Sequence, residues 1–103
     1  MREVTLSDRD GVRVGASVRG DDGALLIRGD VDRSSPWGAE RYHYEMVVAP
    51  GDVPKVLNAL GAPSDGVDVL DVLLAHGSDV VVGGERAWLR SIGIEPEYRS
   101  TDA

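Results

Sequence analysis

Apolar residues in the first half of the chain return at every second position. Val4 and Leu6 alternate with Glu3, Thr5 and Ser7, and Val12, Val14, Ala16 and Val18 alternate with Arg13, Ser17 and Arg19. Leu25, Ile27 and Val31 share one side of a third run, with Leu26, Arg28 and Asp30 on the other. A fourth run, from about Arg41 to Ala49, sets Tyr42, Tyr44, Met46 and Val48 against Arg41, His43, Glu45 and Val47. Period two is the signature of a strand with one buried face. The strings DRDG at 8–11 and GDDG at 20–23 are turn sequences, and such short connections join neighbouring strands antiparallel. The pattern predicts a four-stranded antiparallel meander whose apolar face must be covered by something else.

After Ala49 the period lengthens to that of a helix. PGDVPKVLNALG offers Asp52 as N-cap, Pro54 in the first turn and Gly61 as the stop, with Val53, Val56, Leu57 and Leu60 as the apolar stripe. SDGVDVLDVLLAHG repeats the arrangement, with Ser64 or Asp65 as cap, Gly77 as stop and Val67, Leu70, Leu73 and Leu74 inward. DVVVGG at 79–84 reads as a loop or brief strand, and ERAWLRSIG as a short helix with Trp88, Leu89 and Ile92 inward. IEPEYRS closes the chain as an extended segment, where Pro96, lacking an amide proton, favours an edge or an irregular end. The expectation is one α+β domain over residues 1–103: a meander covered on one face by two to three helices, with a short final strand.

Composition narrows the chemistry. The chain has 103 residues, of which 42% are hydrophobic and 5% aromatic, with no phenylalanine, so the core is aliphatic. The absence of cysteine removes disulfides, cysteine–zinc sites and thiol nucleophiles. No segment reads as a signal peptide, and no apolar run approaches the roughly 20 residues that span a bilayer, so a cytoplasmic protein without membrane contact is expected. A net charge of −7 repels nucleic acid and anionic lipid. Residues 1–50 carry seven Arg against nine acidic residues, whereas 51–103 carry four basic and nine acidic, so the deficit lies in the helical half.

Several strings invite a specific chemistry and fall short of it. DVDRSSPWGAE at 30–40 puts Asp30, Asp32 and Ser34 at the first, third and fifth positions of a calcium loop. Ser35 then stands where the sixth position needs glycine, and Arg41 where the twelfth needs glutamate. RGD at 28–30 lies inside a predicted strand. Asp65, Asp68 and Asp71 drift around their helix and read as a solvated acidic stripe. His76 falls in a last helical turn, where an imidazole suits the negative helix end. His43 shares a face with Arg41 and Glu45, an arrangement used in acid–base catalysis and equally ordinary on a polar sheet face. No catalytic residue, metal or cofactor is expected.

Two sets of residues remain as binding candidates. Trp37, Tyr42, Tyr44, Trp88 and Tyr98 would line an aromatic pocket between sheet and helices. Arg28 and Arg41, with His43 and the neighbouring Arg13 and Arg19, would make an arginine face on an acidic body, suited to carboxylates or protein surfaces unless cross-strand carboxylates neutralise it. Because Tyr42 and Tyr44 alternate with His43, the two sets occupy opposite faces of one strand and do not serve one site.

The strings WGAERYHYEMVVAPGDVPKVLNALG, VLDVLLAHG and WLRSIGIEPEYRS resemble small uncharacterised proteins of high-GC actinobacteria, across residues 37 to 100. Those proteins share a Y-x-Y strand, a D-x-P helix ending in L-G, a Leu-rich second helix and a W-L-x-x-x-G-I segment. The resemblance lies in structural positions and implies no activity, ligand or catalytic residue. On the residues alone, a non-enzymatic protein-binding or regulatory module fits best, with an acidic inhibitor or immunity-type protein as its specific form and self-association as one option. A small-molecule domain built on the aromatic set comes second, and an enzyme using His43 with Glu45 or Glu40 last.

Overall fold

A computed structural model describes residues 3–9, 11–36, 38–62, 67–81 and 84–102. Four strands follow one another as expected: β1 (Glu3–Arg9), β2 (Val12–Val18), β3 (Leu25–Ser35) and β4 (Gly38–Val48). A single 3-10 turn (Pro50–Asp52) leads into α1 (Val53–Ala59), α2 (Val69–Ala75), α3 (Gly77–Val81) and α4 (Glu85–Ser91). The chain then returns as β5 (Glu97–Asp102) along the free edge of β4, completing a five-stranded antiparallel sheet in the order β1-β2-β3-β4-β5. The architecture is α+β, with the final strand joined to the meander.

Register confirms the alternation. Val14, Ala16, Leu25, Ile27, Met46 and Val48 are almost wholly buried on one side of the sheet, against Val56, Leu57, Leu70, Leu73, Leu89 and Ile94 from the helices. Two helix ends follow from glycine. Gly61 and Gly93 take φ of 75° and 84°, and each is followed by an amide that reaches back to the helix: Ala62 donates to the Leu57 carbonyl at 2.9 Å and Ile94 to that of Leu89 at 3.0 Å. Together with the Gly61-to-Asn58 and Gly93-to-Arg90 bonds, these are Schellman closures, which glycine permits because it has no Cβ to clash at positive φ.

The helical layer departs from the sequence expectation in three places. Gly77 opens α3 instead of ending α2, and 77–81 is helical where a loop or brief strand was expected for 79–84; residues 82 and 83 lie outside the described residues. The reason is a close approach: a Cβ on Gly77 would sit 2.7 Å from the Leu6 carbonyl oxygen, so this position needs glycine for contact with β1. The cap of α2 is Asp68, whose side chain accepts a hydrogen bond from the Leu70 amide at 2.9 Å; Ser64 and Asp65 lie outside the described residues. Finally, Val69 joins Leu70 and Leu73 inside, while Val67, which precedes the first helical turn, and Leu74 are exposed: the buried stripe centres on Val69 and Leu73.

Two features shape the face away from the helices. β3 pairs in register with β2 as far as Val31, with the Asp32 amide still donating to the Gly11 carbonyl at 2.8 Å, and β4 pairs with β5 from Tyr42, so beyond these points the two strands continue as a pair from Arg33–Ser35 to Gly38–Glu40. This two-stranded arm gives the molecule its long dimension of 48 Å against 26 and 25 Å. Leu26 was expected outside; it does face away from the helices, paired with Ser17 and Val47, yet it is only 4% exposed.

Candidate functional site

The helix-free face is built in rows that run across the strands. One row is Asp8–Arg13–Asp30–His43, and the next is Thr5–Gly15–Arg28–Glu45–Arg99. Glu3, Ser17, Leu26, Val47 and Glu97 form a third, and Asp32 with Arg41 begins the arm. Gly15 leaves a gap in the middle row. Around it the face sinks into a depression of about 600 Å³ lined by Glu3, Arg13, Arg28, Asp30, His43, Glu45 and Arg99.

Charges in this lattice are matched. Arg28 Nε donates to Glu45 Oε2 at 2.8 Å across the β3–β4 pair, and Arg41 reaches Asp32 at 3.3 Å. Arg99 donates to Glu97 at 2.7 Å, two residues back on its own strand, which holds its guanidinium pKa above the usual value. Arg13 stands in register between Asp8 and Asp30. Arg19 binds Asp22 in the β2–β3 turn at 2.6 Å; that hydrogen bond, with a second from the Ala24 amide, lowers the Asp22 pKa to about 2. The arginine face expected from the sequence is therefore a lattice of both signs.

His43 is held by a residue that the sequence reading weighed as a calcium-loop position and did not pair with it. Its Nδ1 lies 2.6 Å from Asp30 Oδ1, across the strand pair, while Glu45 is taken by Arg28. Glu40 is paired with Arg33 in the register, further out on the arm. The contact with Asp30 orients the ring. The residues lining the depression include no serine, threonine or cysteine, so the pair has no nucleophile beside it there.

The aromatic candidates gather on the other face. Tyr44 lies across Gly29, stacks on Tyr98 with centroids 6.1 Å apart and tilts against Tyr42 at 6.5 Å. Its hydroxyl donates to Glu85 Oε1 at 2.9 Å, at the start of α4. Burial first, and the Glu85 carboxylate second, push the Tyr44 phenol above the ordinary tyrosine range. Arg86 places its guanidinium 4.8 Å from the Tyr98 ring centre. Trp88 is half-buried against the core. Tyr44 alone of these residues also borders the depression; Tyr42, Trp88 and Tyr98 are not among its lining. Trp37 lies outside the described residues.

Among the described residues no group of three or more His, Cys, Asp or Glu could hold a metal ion, and no helix is long and apolar enough to cross a membrane. No protein-family model matches the chain, and neither a curated protein nor a solved structure is detectably similar to it.

Proposed function

We propose that this chain is a non-enzymatic protein-binding module that docks its partner on the helix-free face of the sheet. The observation that carries the reading is the depression over Gly15, ringed by ion-paired side chains of both signs on a face that no helix covers. Side chains locked in such a lattice present fixed donors and acceptors, which favours a surface of complementary mixed charge. A polyanion gains little there, because each arginine has a carboxylate beside it and the whole chain carries −7. An inhibitor or immunity-type role in the cytoplasm is the specific form of this reading, since an anionic body steers towards a basic protein.

Capture from source lysate tests it. Wild type and a helix-side variant, Lys55→Glu, should retain the same protein at low salt. Arg28→Glu and Arg13→Glu should lose it, and raising the salt should release it. Equal retention by all four baits would refute the proposed face.

A further inference from the structure

The two edges of the sheet are treated differently. β1 is interrupted by a bulge between Thr5 and Ser7, and α3 comes so close that the Leu6 backbone leaves no room for a side chain on Gly77. Bulges and covering helices are devices that stop an edge from pairing. β5 shows neither among the described residues: it runs in unbroken register along β4, and no described strand lies on its outer side. We infer that the β5 edge is the seam of a homodimer, in which two copies pair β5 with β5 antiparallel about a twofold axis at Tyr98.

The charges on β5 select that register. In an antiparallel pair, opposed side chains lie on the same face, so a twofold axis perpendicular to the sheet must pass through a residue pair of one kind. Centring on Arg99 sets two guanidinium groups against each other. Centring on Ser100 sets Arg99 against Thr101 and leaves its charge unmatched. Centring on Tyr98 sets Glu97 of each copy opposite Arg99 of the other, twice over. Both side chains are exposed enough to make the exchange, at 60% and 68%, and within one chain they are paired with each other.

Tyr98 suits the centre of such a seam. It is one of three large hydrophobic residues exposed among those described, at 40%. Its ring is already held, stacked on Tyr44 beneath and beside the Arg86 guanidinium, so little side-chain freedom is lost when a second Tyr98 meets it. The product is a continuous ten-strand sheet with a helical layer on one side and two depressions on the other, twice the five strands of one copy. The inference is independent of what docks in those depressions.

Sedimentation over a micromolar to millimolar range tests the seam with four chains: wild type, Glu97→Arg, Arg99→Glu and the double exchange Glu97→Arg/Arg99→Glu. Wild type and the double exchange should dimerise. Each single variant puts like charges opposite each other at two places and should associate about tenfold more weakly or worse. Circular dichroism confirms that each variant is folded. Because the chain has no cysteine, Tyr98→Cys supplies a second test: air oxidation should join two copies through that position, while Ser100→Cys should not cross-link. A wild type that stays monomeric, four chains of equal affinity, or a double exchange that fails to restore pairing would overturn the seam.

Discussion

A methyl group added at Gly29 tests how the sheet and α4 are joined. The Cβ of Gly29→Ala would fall within the Tyr44 ring, so the ring must turn away from the strand. Turning it breaks the 2.9 Å hydrogen bond to Glu85, whose side chain is buried, and separates the Tyr44 and Tyr98 rings. A hydrogen bond to a charged group contributes about 1.5–3 kcal/mol, and leaving that carboxylate without its donor adds to the loss. A stacked aromatic pair contributes about 0.5–1.5 kcal/mol more. The expected destabilisation is therefore about 3 kcal/mol, which for a domain of this size lowers Tm by roughly 12–24 °C. Urea denaturation against Gly20→Ala measures it, since a Cβ on Gly20 meets nothing within 4 Å and should change stability by less than about 0.5 kcal/mol. The reasoning is refuted if Gly29→Ala costs no more than Gly20→Ala. It is also refuted if the penalty is undiminished in a Tyr44→Ala background, where no ring occupies the space.

Further outcomes follow from the same structure. Gly77→Ala should destabilise by about 1–3 kcal/mol in urea denaturation, because its Cβ would meet the Leu6 backbone, which cannot swing aside as a side chain can. The phenol missing from a Tyr44→Phe difference titration should ionise only above the ordinary tyrosine range; a raised acid pKa means its stabilising effect is complete below that range and is lost as pH rises through and beyond it. Asp22 should titrate near 2 by carboxyl-carbon NMR; with a lowered pKa, its contribution is complete above the ordinary value of 3.8 and is lost as pH falls towards 2.

Much of the fold was legible because the strands keep strict period two. Val14, Ile27 and Met46 had to share a face because a one-residue slip in register would turn a whole apolar row to solvent, and Gly61 and Gly93 marked helix ends through chemistry local to the chain. What escaped the sequence depended on partners far away along it. Gly77 looked like a helix stop, but its role is set by the backbone of Leu6. His43 was weighed with Arg41 and Glu45, its neighbours along the strand. On a sheet, the residue directly opposite is closer than the one two positions along, and that residue is Asp30. The β3–β4 register was the missing information. Counting back from the Ser35–Gly38 pair supplies it: residues facing each other then sum to 73, and His43 meets Asp30. The same register turns the arginines of the open face from a positive patch into rows of ion pairs.

The docking face is tested most directly by amide NMR of the isotope-labelled chain, titrated with the protein it captures. The account predicts shifts concentrated at Arg13, Gly15, Arg28, Glu45 and Arg99, around the depression, with α1 and α2 unchanged. Shifts confined to the helical side, with those five amides unmoved, would contradict it.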